Sequence, residues 1–348
     1  MEPFELEDKG NLWIINLKKE NLSVAGLDLT VGEEIYAGTL RGKIEGIEEL
    51  RRLEKQGKLE RIKPDPDGRL ILKHDPSGNS VYYIVSDEIF TLPGDLDLRI
   101  DARSTIGRLG VMCSDVSKQY IRGGNTSPVI TTAQPYAFDI EVKIGESRLV
   151  QAILRYRQSP FMTQKDVLED TGNIQLIQNN APIPTRERME EDGLTMTYDT
   201  RFALATKRNI RTPINVDAQA GAYEVKDFFE EIRPSNGELR MEGERFYLLR
   251  TKEIIRLGNV CGILSRENKY TGTGLWGHFA GFIWPQFTGP ITMECRSESP
   301  RIVSNGDPAG FVLFGKLERE LSPAEGYTGS YNEINPLAPK MFTRRTTD

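Results

Sequence analysis

Hydrophobic positions along the chain recur as short apolar or alternating runs cut by turn residues, the rhythm of strands rather than of long helices. Leu70–Leu72, Val81–Val85, Leu149–Tyr156, Phe246–Leu249 and Phe311–Phe314 are runs of strand length. Pro64–Gly68, Asp75–Asn79 and Ser304–Pro308 carry tight-turn chemistry, because Gly takes a positive φ without strain and Asp or Asn bonds its own backbone. One stretch breaks the rhythm. Ile44, Ile47, Leu50 and Leu53 fall three residues apart, with Glu48/Arg52 and Glu54/Lys58 as outer pairs and Gly57 as a stop. The pattern predicts a mainly β protein with a few short helices, this one laying its apolar stripe on a sheet and carrying no chemistry.

The strand pattern also repeats. Tyr82–Leu92 lines up with Tyr247–Leu257, and Phe138–Lys143 lines up, after gaps, with Ile291–Arg296, which sets Glu141 beside Glu294. A chain of 348 residues is long enough for two such units, each burying its own core. The expected division is an N-terminal domain over 1–162, a polar linker over 163–198 and a C-terminal domain over 199–348.

Charge and composition narrow the function. A formal charge of −6 argues against nucleic acid or a membrane surface as the main partner, so any phosphate must be held by local basic groups. The acidic start Met1–Asp8 lacks an apolar signal region, and no apolar run approaches the roughly 18 residues of a membrane span. A soluble, cytoplasmic protein with its three cysteines reduced is the expectation. Gly272–Gly277 matches the dinucleotide-binding spacing G-x-G-x-x-G, but Gly281, Pro285, Gly289 and Pro290 follow, so no helix can present its N-terminus there.

The first stretch with candidate chemistry is Arg103–Val111, R-S-T-I-G-R-L-G-V. In a single helical turn Ser104 and Arg108 share a face. A hydroxyl, a guanidinium and the free N–H groups of the turn make an anion site in miniature, although a capped surface turn has the same pattern. The stretch resembles the phosphate-binding motif of the dCTP deaminase and dUTPase superfamily, R-S-S-x-x-R-x-G. The resemblance gives Arg103, Ser104 and Arg108 the triphosphate. Leu22–Gly32 is similar to that family's S-x-D-L-R-L-G strand, with Thr30 in place of the Arg.

The second stretch is His278–Cys295, two apolar arms around Pro285–Gly289 that read as a β-hairpin. It resembles the family's base-binding hairpin, H-x-x-A-x-x-I-D-P-G-W-x-G-x-x-x-L-E. By that resemblance Ala280 and Phe282 lie at the base and Glu294 is the catalytic glutamate, with Glu141 the second choice. Trp284 stands for the family's Asp and Gln286 for its Gly. Tyr327 and Tyr331 resemble the arm that closes over the nucleotide, with Ser330 and Ile334 replacing its Lys and Gln; a disordered tail is the other reading. At the second unit's phosphate turn Glu267 and Thr271 stand where Ser and Arg belong, and a carboxylate there repels a triphosphate.

The order of parts is most similar to the two-domain dCTP deaminases, which implies two tandem dUTPase-like barrels of distorted jelly-roll type. It implies a site shared between barrels, a homo-oligomer with a trimer favoured, dCTP as substrate with Mg2+ carried on its triphosphate, and dTTP as an inhibitor. A zinc cytidine deaminase needs H-x-E with P-C-x-x-C, and neither occurs, so no zinc is expected. A glutamate lifted by burial can then take a proton from water and return it to the ring. Three readings stay open: dCTP deaminase, dUTP diphosphatase alone or combined with deamination, and a non-catalytic nucleotide-binding regulator.

Overall fold

The computed structural model describes residues 4–5, 12–23, 26–39, 44–115, 121–122, 126–156, 161–265, 275–277, 279–317, 319–322, 331 and 337–343. The chain forms two compact units, Met1–Ser159 with Arg211–Ala218, and Pro160–Ile210 with Gln219–Asp348.

In unit 1 the long strand Gly26–Gly38 serves both halves of the sheet. Leu27 to Thr30 pair antiparallel with Arg148–Tyr156, and after a bulge Ile35 to Gly38 pair with Val81–Thr91. A strand that changes partner half way curls its sheet toward a barrel. Gly32 lies in the bulge, where a Cβ would sit 2.7 Å from the Val85 carbonyl oxygen; only glycine permits that approach. Leu96–Ala102 adds to Arg148–Tyr156, and Thr126–Pro135 adds to Val81–Thr91 with Val111–Asp115 beyond it.

Unit 2 repeats this order strand for strand. Gly193–Thr206 pairs first with Pro308–Lys316 and then with Phe246–Leu257. Val260–Ser265 adds to the former, and Thr288–Ser297 to the latter with Leu275–Gly277 beyond it. The mainly β, two-unit architecture read from the sequence is therefore present, and so is the match of Tyr82–Leu92 with Tyr247–Leu257.

That match includes a pair of fully buried carboxylates, Glu88 and Glu253, each 0% exposed. Thr30 donates to Glu88 from its backbone N at 2.9 Å and its hydroxyl at 2.7 Å. Thr197 does the same to Glu253 at 2.8 and 2.7 Å. Glu253 also pairs with Arg188 at 3.0 Å, whereas Glu88 takes a weaker bond from Asn21 at 3.3 Å. Burial pushes the Glu88 carboxyl above the usual carboxylate range against the pull of the Thr30 bonds.

The amphipathic helix spans Ile47–Lys55, with Leu50 and Leu53 buried against Tyr36, Val81, Tyr83 and Val85 and with Ile44 packed just before it. Gly57 ends it at φ +67. Its outer ion pairs are Arg51 with Glu48 and Arg52 with Glu49, spaced i,i+3 in place of the expected Glu48/Arg52; Arg51 also meets Glu34, and Lys58, expected to pair with Glu54, lies past the helix end. Residues 163–198, expected as a linker, are folded into unit 2. Thr163 caps the helix Gln164–Glu169 through a reciprocal bond with Asp166, and Ile174–Gln178 pairs with Phe246–Leu257. Residues 211–218, expected in the C-terminal domain, belong to unit 1, where Ile214–Asn215 lies parallel to Ile140–Lys143. Among the described residues no helix is long and apolar enough to cross a membrane.

Candidate active site

The stretch expected to bind phosphate in unit 1 is one short helix, Ser104–Arg108, leaving the end of the Leu96–Ala102 strand. Thr105, Ile106 and Leu109 are buried and fasten the turn to the core. Gly110, at φ +70, closes it through a 2.8 Å bond from its N to the Gly107 carbonyl and redirects the chain into Val111–Asp115. Ser104 and Arg108 share a face as the spacing predicts, with Arg108 Nε donating to Ser104 Oγ at 3.4 Å. Arg108 is nearly buried, at 2% exposure.

Arg103 is engaged within the protein. Its backbone N bonds the Leu149 carbonyl at 3.0 Å, its Nε lies 3.0 Å from the Asp28 carboxylate, and Nη1 donates to the Arg148 carbonyl at 3.2 Å. These contacts tie the start of the turn to two strands. Asp28 belongs to the Leu22–Gly32 stretch, so the two motifs met separately in the sequence are joined here.

In unit 2 Glu294 lies on Thr288–Ser297, opposite Leu248 in the register, and is 2% exposed. Its neighbour Cys295 faces Tyr198, whose hydroxyl is 3.5 Å from the sulfur. Burial pushes the Cys295 thiol up to about 12, with the Glu294 carboxylate adding to it, so the thiol stays protonated and is no competing nucleophile. The segment before this strand is not one arm of a simple hairpin as expected. Phe282–Ile283 pairs with Val260–Ser265, and the partners of Thr288–Ser297 are Phe246–Leu257 and Leu275–Gly277. The reason is a tight turn at Gln286, φ +60, whose N bonds the Gly258 carbonyl at 2.9 Å and carries the chain across to another neighbour. Gln286 thus holds a left-handed backbone, the conformation that glycine adopts without strain.

Ala280 is half-buried, and its sequence neighbours make two aromatic contacts. Phe279 packs on Phe246 with ring centres 5.4 Å apart, and Phe282 meets Trp284 edge to face at 5.4 Å. Tyr331 is buried, and its hydroxyl accepts from Lys340 N at 2.9 Å. Tyr327, His278, Glu267 and Thr271 lie outside the described residues.

Glu141 occupies a different place from Glu294, and the alignment of the two is corrected by the register. A hydroxyl marks the same bulge in both units. Ser86 Oγ donates to the Glu88 carbonyl at 2.7 Å and accepts from Val129 N at 2.9 Å; Thr251 Oγ1 donates to the Glu253 carbonyl at 2.7 Å and accepts from Ile291 N at 3.0 Å. Three residues on from Val129 and from Ile291 stand Thr132 and Glu294, opposite Tyr83 and Leu248 respectively. Glu141 lies on Ile140–Lys143, opposite Ile71 and ion-paired with Arg69. Its counterpart is Ile302, since Val142 pairs with Leu70 as Val303 pairs with Leu239. The gaps in the alignment hid a shift of one strand.

Comparison with known proteins agrees with this architecture. The family model described as dCTP deaminase-like matches the chain twice, over residues 4–155 and 164–316. The chain belongs to the dCTP deaminase-like family. Among solved structures it is similar to the 2'-deoxycytidine 5'-triphosphate deaminase from Agrobacterium tumefaciens, with a TM-score of 0.73 and 22% identity over 88% of this chain and 90% of that one. At that identity the likeness is one of fold. No curated protein matches the chain.

Proposed function

We propose that this chain is a dCTP deaminase that converts dCTP and water to dUTP and ammonia. The observation that carries the reading is Glu294, a carboxylate 2% exposed on the buried strand Thr288–Ser297, in a chain whose other unit carries the Ser104–Arg108 turn. Glu294 takes a proton from water as the oxygen attacks C4 of the cytosine ring. It delivers that proton to N3, then takes the second proton from the new C4 hydroxyl and passes it to N4, so that ammonia leaves as the C4–N4 bond breaks and the C4 carbonyl forms. General acid–base chemistry of this kind supplies about 10²–10⁴ in rate. The rest comes from alignment of water and ring.

Ala280 and Phe282 sit at the base end of the nucleotide and Ser104 and Arg108 at its phosphate end, with Arg103 holding the turn through Asp28. The two ends lie on separate units, which fits assembly of the site in a homo-oligomer, a trimer by family resemblance. Mg2+ enters with the triphosphate as part of the substrate and offsets its charge. Tyr331 and Tyr327 form the closing arm, and dTTP is the expected inhibitor.

Product analysis tests the reading. Incubation with dCTP and Mg2+ is expected to give dUTP and ammonia in equal amounts. Formation of dUMP with pyrophosphate would replace it by the diphosphatase reading, and tight dCTP binding without turnover by the regulator reading.

A further inference from the structure

The two units differ at the position proposed for the catalytic carboxylate. Thr132 stands in unit 1 where Glu294 stands in unit 2, on the corresponding strand and at the same distance from the hydroxyl-bridged bulge. Its hydroxyl shares a 2.7 Å hydrogen bond with Ser114 Oγ, and the two are directly opposed across the strands. Serine and threonine hydroxyls exchange hydrogen bonds but hold no proton vacancy near neutral pH, so this pair cannot take a proton from an attacking water as a carboxylate does. Glu141, the acidic residue that the sequence alignment set beside Glu294, lies one strand further along, engaged by Arg69.

We infer that the chain has a single deaminating carboxylate, Glu294, and that the equivalent position of unit 1 is catalytically silent. A tandem repeat with two equal barrels would carry two such groups per chain; this one divides the labour. Unit 1 keeps the ordered phosphate turn, while the sequence of unit 2 places Glu267 and Thr271 at its own. The inference rests on the deaminase reading above.

The test is steady-state ammonia release from dCTP with Mg2+ by the full chain, each variant first shown to be folded by its thermal unfolding. Wild type is compared with Glu294→Gln, Glu141→Gln, Thr132→Ala and Thr132→Ser, the last keeping the hydroxyl bond to Ser114 if alanine loosens the fold. The expected result is a loss of at least about a hundredfold for Glu294→Gln, with kcat of the other three within about twofold of wild type. Retention of about half the activity in Glu294→Gln, or collapse of kcat in folded Glu141→Gln or Thr132→Ala, overturns the inference while leaving the deaminase reading in place. A wild type that releases no ammonia overturns the deaminase reading, and the inference with it.

Discussion

Arg103 and Arg108 are both guanidinium groups of one motif, and the structure separates their work. Arg103 is bound to Asp28 and to the Arg148 carbonyl, so it fixes the turn. Arg108 shares a face with Ser104, and the proposed function gives that pair the phosphates. Gln286 shows the same divergence of residue and role. It holds φ +60, a conformation that costs a residue with a Cβ about 1–2 kcal/mol, and glycine gives back part of that through its looser unfolded chain. Gln286→Gly is expected to raise stability by about 0.5–1 kcal/mol in urea unfolding. The Ser104–Arg108 pairing was legible in the sequence because it is local, four residues on one turn. The Arg103–Asp28 and Thr132–Ser114 contacts were not, since each depends on which strands lie side by side.

At the scale of elements the buried glutamates report how the repeat has diverged. Glu253 is compensated by Arg188, and removing one partner of a buried pair strands the other charge. Arg188 is partly open to solvent, 30% exposed, so Arg188→Ala is expected to cost about 1–3 kcal/mol, below the full buried-pair range, read as a fall in the urea midpoint. Among the described residues no cation pairs with Glu88 in this way, and burial holds its folded pKa above its unfolded value. The protonated form therefore favours the fold: the contribution is fully present below the ordinary glutamate pKa and is lost as pH rises through the folded value. Glu88→Gln is expected to flatten that part of the stability profile, measured by thermal unfolding between pH 4 and pH 7. The repeat strands themselves were legible because their apolar alternation survives. The hairpin at Pro285 was not, because two apolar arms around a turn do not say which neighbour each arm will pair with.

For the whole molecule, the two-unit plan follows from length and repetition, and its joints do not. The polar run at 163–198 looks like a linker, yet Val167, Ile174 and Leu176 are buried in the unit 2 core. A few apolar residues on a strand are enough to decide burial, and average polarity conceals them. The short stretch 211–218 returns to unit 1 through Ile214, a non-local pairing that composition does not reveal. The proposed function predicts a kinetic signature at this scale. A residue that only holds the triphosphate alters affinity, and one that transfers the proton alters turnover.

The most direct test is therefore the pair of kinetic constants for ammonia release from dCTP, measured for Arg108→Lys and Glu294→Gln against wild type. Loss of bidentate phosphate contacts worth about 1.5–3 kcal/mol is expected to raise KM for Arg108→Lys by about 10- to 100-fold with kcat little changed. Glu294→Gln is expected to lower kcat by about 10²–10⁴ while dCTP binding persists. A Glu294→Gln enzyme that still turns over at the wild-type rate would contradict the account.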